Sequence, residues 1–202
     1  DLLNLNEPFI VMNGDVITDF DIKRLVEYHK EKKGLATLAV IEVSDPSRFG
    51  SVERDYEGHI IRFVEKPEPG KAPSNLINAG IYVLEPEVLN YIPNGGKVSI
   101  EREVFPILAK EGKLYGYEIH AQWMDVGVSE DYLRANALLL TKSNGVKADK
   151  AKVDKTTTLI SPCNLAEGVE VGGDSIIGPN VAIAENVLIG KGCRIENSII
   201  FP

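Results

Sequence analysis

Two aspartates stand directly after segments with strand character, and their positions suggest a metal site. Asp15 closes an Asn-Gly-Asp turn after the apolar run 9–12, and Asp125 follows the run 122–124. Ligands of α/β proteins bind beyond the carboxyl ends of strands, and Mg²⁺ prefers a few carboxylates together with substrate phosphates and water. The pair therefore predicts a shared Mg²⁺ site, although either aspartate alone also fits a turn or the start of a helix.

A second strand-like segment, 59–64, ends in the polar pair Glu65 and Lys66 before Pro67. Because proline restricts the residue before it, Lys66 is expected to have an extended backbone. A lysine ammonium can act as a point charge on a phosphate, and a glutamate can accept hydrogen bonds from sugar hydroxyls. Taken alone, the segment also fits a solvated turn.

A glycine interrupts the strand-like run 77–83. Gly80 weakens such a strand unless a ligand or a neighbouring backbone must come close. Asn78, two residues earlier, offers both a hydrogen-bond donor and an acceptor. The run is therefore a third candidate for contacts with a ligand.

An α/β framework over residues 1–144 positions these candidates. Strand-like and helical segments alternate, which indicates a mixed, mainly parallel sheet with helices outside. The run 35–43 is almost uninterruptedly apolar, as expected of a strand covered on both faces. The predicted strands are 9–12, 35–43, 50–54, 59–64, 78–84, 114–120 and 122–124, and the predicted helices begin near residue 19 and span 87–91, 101–111 and 129–144.

A six-residue repeat replaces this pattern near the C-terminus. Such a period is typical of a parallel β-helix, in which a ladder of aliphatic side chains fills the axis, whereas hairpins give a period of two. The polar stretch 145–158 is predicted to be a linker, and residues 159–202 the β-helix. The repeating apolar positions are Leu159, Leu165, Val171, Ile177, Ile183, Ile189, Ile195 and Phe201.

Five segments, in this order and ahead of the repeat, resemble the sugar-phosphate nucleotidyltransferases, most closely the mannose-1-phosphate guanylyltransferase (GDP-mannose pyrophosphorylase) branch. The segments are FIVMNGD, RFGSVERDYEGHIIRFVEKP, INAGIYVL, SIEREVFPILAKEG and WMDVG. The resemblance implies a Rossmann-like nucleotidyltransferase domain of the α/β class followed by a left-handed parallel β-helix of hexapeptide repeats. In that family three hexads make one coil.

The three-hexad coil leads to a prediction about the cysteines. Cys163 and Cys193 are 30 residues apart, or five hexads, which is not a multiple of three. They should therefore lie on different faces of the β-helix and too far apart for a disulfide. Two free interior thiols fit a reducing compartment.

Individual roles follow from the resemblance as well. Asp15 and Asp125 would bind the catalytic Mg²⁺ and Lys66 would contact the sugar phosphate, so these three are the catalytic candidates. The sugar site would be lined by Gly14, Gly50, Glu65, Asn78 and Gly80.

The implied reaction joins a sugar-1-phosphate to a nucleoside triphosphate, with mannose-1-phosphate and GTP giving GDP-mannose and pyrophosphate. A phosphate oxygen attacks the α-phosphorus, so no side-chain nucleophile is needed. Catalysis consists of aligning two polyanions and neutralising their charge. Carboxylates, a lysine and glycines suit that task better than a Ser/His pair.

The chain departs from the family at both ends. The glycine-rich loop that holds the triphosphate has no counterpart, so we expect an N-terminally incomplete domain that is inactive alone. An incomplete sheet exposes an apolar edge. The repeat ends at 200–202 without a polar cap, and we expect either truncation at this end as well or a homo-oligomer formed through the β-helix. After Asp125, the pair Val128 and Ser129 replaces a polar residue and proline.

Composition excludes several classes of protein. The 202 residues carry 22 Lys and Arg against 30 Asp and Glu, a net charge of −8, and no basic stripe for a nucleic acid. No apolar run reaches the ~18–20 residues of a membrane span, and no signal peptide is visible at the start. The sequence therefore predicts a cytoplasmic protein without nucleic-acid or membrane partners.

Three alternatives stay open at this point. The chain could be a non-catalytic regulatory or assembly subunit of the same fold, which loss of the glycine-rich loop favours and retention of Asp15 and Asp125 disfavours. It could act on glucose-1-phosphate with another base. A hexapeptide-repeat acyltransferase has little support, because such enzymes use a histidine on the coils and all three histidines precede Leu159.

Overall fold

A computed structural model of the chain describes residues 6–93, 95–143 and 145–202. The chain divides into two compact units, Asp1–Trp123 and Met124–Pro202. Among the described residues, no helix is long and apolar enough to cross a membrane. The predicted end of the last helix, residue 144, lies outside the described residues.

The first unit is built on a six-stranded sheet in the order β5-β4-β6-β3-β7, with β1 also paired to β6. A 3₁₀ helix spans Pro86–Tyr91 and a π-helical turn spans Ile100–Val104. The other elements are β1 (Phe9–Met12), β2 (Val16–Thr18), α1 (Ile22–Lys32), β3 (Ala36–Glu42), β4 (Gly50–Arg54), β5 (Ile60–Glu65), β6 (Leu76–Leu84), α2 (Phe105–Lys110), β7 (Leu114–Glu118) and β8 (Trp123–Asp125), which runs across the boundary between the units.

The sheet is mixed, as predicted, but antiparallel pairs predominate among the described strands. Only β3 and β7 pair in parallel, whereas β1, β3 and β4 are antiparallel to β6, and β4 is antiparallel to β5. The expectation of a mainly parallel sheet is wrong here. A turn of five residues joins β4 to β5, and such short connections allow only antiparallel neighbours.

Strand β6 separates two apolar clusters and thereby orients the candidate residues on it. Its residues Tyr82 and Leu84 pack into one cluster with α2, and Ile81 and Val83 pack into another with Leu25 of α1. Successive side chains of a strand point to opposite faces. Asn78 and Gly80 therefore share the face of Tyr82. Strand β3, buried from residue 36 to residue 40, is covered on both faces as predicted.

Helix α1 begins later than the sequence suggests. Asp21, rather than a residue near 19, is the N-cap, and its side chain accepts a hydrogen bond from the Lys23 N–H at 3.1 Å. The helix ends where Lys33 adopts a left-handed conformation, with φ of 56°. Leu25 is buried on its inner face.

The second unit is a helix followed by a stack of short parallel strands. Strands β10, β13 and β16 form one sheet, β11, β14 and β17 a second, and β9, β12, β15 and β18 a third. The elements are α3 (Ser129–Lys142), β9 (Val146–Lys147), β10 (Lys152–Val153), β11 (Thr158–Leu159), β12 (Cys163–Leu165), β13 (Glu170–Val171), β14 (Ile176–Ile177), β15 (Val181–Ile183), β16 (Leu188–Ile189), β17 (Arg194–Ile195) and β18 (Ile199–Ile200).

The register of these strands confirms a coil of three hexads. Lys152 pairs with Glu170, and Glu170 pairs with Leu188, so each coil advances 18 residues. The offset is 17 between Val146 and Cys163, and it falls to 17 again between Ile183 and Ile200. For that reason Ile200 packs against the core and Phe201, which the six-residue phase places inside, is 65% exposed.

Pairing begins earlier in the chain than the repeat suggests. The stretch 145–158, predicted as a linker, contains β9 and β10, which pair with β12 and β13. Ala148, Ala151 and Val153 pack against the same core as the later coils. In this stretch the inward positions include small alanines and the neighbouring residues are charged, so the six-residue repeat of large apolar side chains is not visible in the sequence.

Both cysteines are free, as predicted. Cys163 is buried in β12, and Cys193, next to β17 in a different column of strands, is partly exposed. The left-handed winding of the β-helix stays a prediction.

Candidate functional site

The loop that carries Asp15 packs on β6 through a close backbone approach at Gly80. The Asn13 N–H donates to the Gly80 carbonyl at 2.9 Å. Gly80 has φ of 72°, and a Cβ there would lie 2.8 Å from Asn13 Nδ2. An added side chain would crowd the side chain of Asn13, so glycine at position 80 allows the close approach of the loop that carries Asn13, exposed Gly14 and exposed Asp15.

A chain of hydrogen bonds fixes Asn78. Its Oδ1 accepts from the Gly80 N–H at 3.0 Å, and its Nδ2 donates to the Tyr82 hydroxyl at 2.9 Å. The Tyr82 hydroxyl in turn donates to Glu101 Oε1 at 3.4 Å, and Ser99 donates to Glu101 Oε2 at 3.0 Å. Burial raises the pKa of Tyr82 well above its usual range, so the hydroxyl keeps its proton and remains a donor.

Glu65 lies at the end of the β4–β5 hairpin, paired with Gly50. A Cβ at Gly50 would lie 2.8 Å from Glu65 Oε2, so glycine leaves the room that this carboxylate occupies. Burial raises the pKa of Glu65, the charge of Glu101 raises it further, and Lys66 lowers it. Glu65 is thus electrostatically coupled to the carboxylate that anchors Tyr82.

The backbone of Lys66 differs from the expectation. Instead of an extended conformation, Lys66 has φ of 48°. Its N–H donates to the Phe49 carbonyl at 3.0 Å. This bond lies one residue beyond the last pair of the β4–β5 hairpin, Gly50 and Glu65, so the strand ends here. The exposed side chain lies beside Glu65.

The segment that leads to Asp125 is held by the first unit up to Trp123. The Trp123 indole N–H donates to the Ala79 carbonyl at 2.9 Å, between Asn78 and Gly80. The Gln122 carbonyl accepts from the Thr18 hydroxyl at 2.8 Å. Asp125 itself, partly exposed at the end of β8, belongs to the second unit.

Asp15 and Asp125 suit a metal by their chemistry. Both offer carboxylate oxygens next to a strand, and such hard donors match the preference of Mg²⁺. Because they belong to different units, a shared ion stays a prediction. Within the described part of the chain, Asp55, Glu57 and His59 form a separate group whose ligand atoms converge.

Sequence reasoning gave no role to Tyr82 or Glu101, although both belong to the network around Asn78. The spacing contains a signal for Tyr82, since residues 78, 80 and 82 share one face of a strand. For Glu101 no local signal exists, because a π-helical turn brings it to the network.

Comparison with known proteins gives two family matches and a set of relatives. The nucleotidyl transferase family matches residues 1–142, and the family described as the GMPPB C-terminal domain matches residues 159–202. A mannose-1-phosphate guanylyltransferase of Mycobacterium tuberculosis is 36% identical over 95% of this chain and 56% of its own length. A second relative, the mannose-1-phosphate guanylyltransferase catalytic subunit beta of Drosophila pseudoobscura pseudoobscura, is 36% identical over 94% of this chain and 45% of its own length. The chain thus spans about half the length of these relatives.

A solved structure of similar fold supports the family match. It is a Bacillus anthracis protein described as a glucose-1-phosphate thymidylyltransferase, in complex with a sucrose, with a TM-score of 0.59 and 30% identity. The match covers 66% of this chain and 55% of the other. The predicted fold class, a nucleotidyltransferase sheet followed by a parallel β-helix, is confirmed. The chain belongs to the nucleotidyl transferase family.

Proposed function

We propose that this chain forms the sugar-binding and metal-binding part of an enzyme that makes GDP-mannose and pyrophosphate from GTP and mannose-1-phosphate. The observation that carries the proposal is the network around Asn78, which joins the Asp15 loop, Tyr82 and Glu101 in one site coupled to Glu65. The relatives named above support the choice of sugar and base.

Each predicted residue has a role in this proposal. Lys66, exposed beside Glu65, places a positive charge on the phosphate of the sugar-1-phosphate. Glu65 and Asn78 bind sugar hydroxyls, because a carboxylate accepts hydrogen bonds and an amide both donates and accepts them. Gly14, Gly50 and Gly80 line the site. At exposed Gly14 the absence of a side chain lets the substrate approach the backbone, whereas glycine at position 50 makes room for Glu65 and glycine at position 80 makes room for Asn13.

The chemistry needs alignment and charge neutralisation. A phosphate oxygen of mannose-1-phosphate forms a bond to the α-phosphorus of GTP, and the bond from that phosphorus to the β-phosphate oxygen breaks, so that pyrophosphate leaves. Mg²⁺, when bound by Asp15 and Asp125, supplies positive charge to the phosphates. Lys66 supplies more, and the hydrogen bonds of Asn78 hold the sugar in one orientation.

We further propose that the activity requires more protein than these 202 residues. The relatives are about twice as long, and the glycine-rich loop expected for triphosphate binding has no counterpart in this chain. A homo-oligomer formed through the β-helix and a cytoplasmic location complete the proposal.

The decisive test is a substrate screen of the full-length protein that contains this chain. Mannose-1-phosphate and glucose-1-phosphate are each paired with every nucleoside triphosphate in the presence of Mg²⁺, and pyrophosphate release is measured. We expect the highest kcat/KM for mannose-1-phosphate with GTP, and loss of turnover in Asp15→Asn. The exposed carboxylate variant Glu68→Gln is the matched control and should keep normal turnover.

A second candidate is a glucose-1-phosphate nucleotidyltransferase, which the similarity to the Bacillus anthracis structure favours. A preference for glucose-1-phosphate in the screen would select it. Absence of pyrophosphate release with all pairs would contradict both candidates and favour a regulatory subunit.

A further inference from the structure

The turn between β4 and β5 brings three metal-ligating side chains together at a distance from the sugar site. Asp55, Glu57 and His59 each place one ligand atom within 4.8 Å of the others. Gly50 and Glu65 lie at the opposite end of the same hairpin, about 16 Å away at about 3.3 Å per residue. We infer that this turn binds a divalent transition-metal ion, with Zn²⁺ as the ion that it fits best.

The two separations measured from His59 Nδ1 are close to those around a tetrahedral ion. His59 Nδ1 lies 3.2 Å from Asp55 Oδ2 and 3.7 Å from Glu57 Oε2. With metal–ligand bonds of about 2.0–2.2 Å, neighbouring ligands of a tetrahedral ion are about 3.4 Å apart. The two separations lie on either side of this value, and one carboxylate oxygen of Asp55 lies within 4.8 Å of one of Glu57. The exposed position of Glu57 leaves the fourth coordination site to water.

The turn already has the shape that the ion needs. Asp55 Oδ1 accepts hydrogen bonds from the backbone N–H groups of Glu57 and His59, each at 2.9 Å. Oδ2 of the same carboxylate faces His59 Nδ1 at 3.2 Å, and a metal ion would replace the proton of this contact. Preorganisation of this kind lowers the entropy cost of binding.

His59 has the outer partner that metal-bound histidines usually have. The Tyr115 hydroxyl on β7 lies 2.7 Å from His59 Nε2, the ring nitrogen away from the acids. A hydrogen bond at that nitrogen fixes the ring orientation of a metal ligand, and the Tyr115 oxygen can accept it from Nε2–H when Nδ1 binds a metal. Tyr115 is therefore a positioning residue, and Nδ1 faces Asp55 and Glu57.

The donor set selects the ion. Imidazole nitrogen suits Zn²⁺, Cu²⁺ and Ni²⁺, whereas Mg²⁺ and Ca²⁺ prefer oxygen ligands alone. The two carboxylates balance the charge of a divalent ion. This site is therefore separate in place and in chemistry from the proposed Mg²⁺ site, and it does not depend on the proposed function.

The test is a titration of the chelator-treated 202-residue chain with Zn²⁺ at neutral pH by isothermal titration calorimetry, repeated with Co²⁺ to record its visible spectrum. We expect a single ion bound at the turn and no displacement by excess Mg²⁺. Glu57→Gln and His59→Gln should each weaken binding at least tenfold, since even loss of an outer partner costs about 10–100-fold. Tyr115→Phe should weaken Zn²⁺ binding by about 10–100-fold, the range given for loss of an outer partner.

The variants separate a metal site from a simple ion pair. Glu57→Gln keeps the size of an exposed side chain and leaves the Asp55 hydrogen bonds in place, so the turn should fold normally, as circular dichroism will check. Glu68→Gln removes an exposed carboxylate elsewhere and should bind Zn²⁺ like the parent chain. Failure of the parent chain to bind Zn²⁺, or unchanged affinity in Glu57→Gln and His59→Gln, would overturn the inference and leave only an ion pair.

Discussion

At the scale of single residues, two carboxylates near the Asn78 network influence one another. Glu101 anchors Tyr82, and its negative charge acts on half-buried Glu65. Burial is the larger cause of the raised pKa of Glu65, and the charge of Glu101 adds to it. A raised pKa means that the folded protein holds the Glu65 proton more firmly than the unfolded chain does.

Replacing Glu101 by Gln should lower the pKa of Glu65, because the like charge disappears while the shape of the side chain stays. The pKa should stay above the ordinary value of 4.5, since burial remains. Carboxyl chemical shifts followed by NMR across an acid titration measure this change. The parent chain should also lose stability as pH rises from about 4.5 through the raised pKa, and Glu101→Gln should lose less. An unchanged Glu65 pKa in the variant would contradict the coupling.

Gly80 offers a second test at this scale. Gly80→Ala places a Cβ at φ of 72° and against Asn13. A left-handed conformation costs an alanine about 1–2 kcal/mol, and the crowding should add about 1–3 kcal/mol. Denaturant unfolding measures the total loss.

Gly70→Ala is the matched control for Gly80→Ala. Gly70 has φ of 75° with no atom within 4 Å of an added Cβ, so only the backbone cost applies. Equal losses in the two variants would mean that the loop at Asn13 moves freely, and Gly80 would then not position Asp15.

At the scale of elements, the β-helix depends on which positions face its axis. Ile177 is fully buried, and Leu188 in the next coil is 73% exposed. Ile177→Ala should destabilise the second unit by about 2–5 kcal/mol, whereas Leu188→Ala should change stability by less than about 0.5 kcal/mol. Thermal and denaturant unfolding compare the two variants. A similar loss of stability in both variants would contradict the conclusion that the side chains recurring every six residues face the axis.

The β-helix also shows what a periodic sequence can predict. Each coil repeats the same contacts, so the phase of Leu165, Val171 and Ile177 identifies the core directly. The first coil was not predicted, because its inward positions include Ala148 and Ala151 in place of the large aliphatic residues that mark the later coils. Phe201 was misplaced because one residue is lost from the register before β18.

The candidate site was predictable only in part. The strand-end rule predicted Asp15 and Glu65, and the glycine within the run 77–83 pointed to Asn78; the roles of all three stay predictions. The rule could not find Glu101, whose approach to Tyr82 depends on a π-helical turn. The separate prediction of an extended backbone at Lys66, made from Pro67, was wrong, since Lys66 has φ of 48° and its N–H donates to the Phe49 carbonyl.

At the scale of the whole molecule, each unit has a core of its own. The first has apolar clusters on both faces of its sheet, and the second has a single axis of aliphatic side chains. The Asn78 network lies entirely in the first unit, whereas Asp125 belongs to the second.

The 18-residue offset between stacked strands restricts how this region can change in length. Where the offset is 18, deleting or duplicating 18 residues removes or adds one complete coil and keeps the aliphatic side chains of the neighbouring coils on the axis. A change of six residues would shift each later segment to the next face and break its alignment with the column below. Insertions and deletions in this region should therefore have the length of a complete coil. Tandem duplication of one coil would lengthen the stack and leave the packing of its core unchanged.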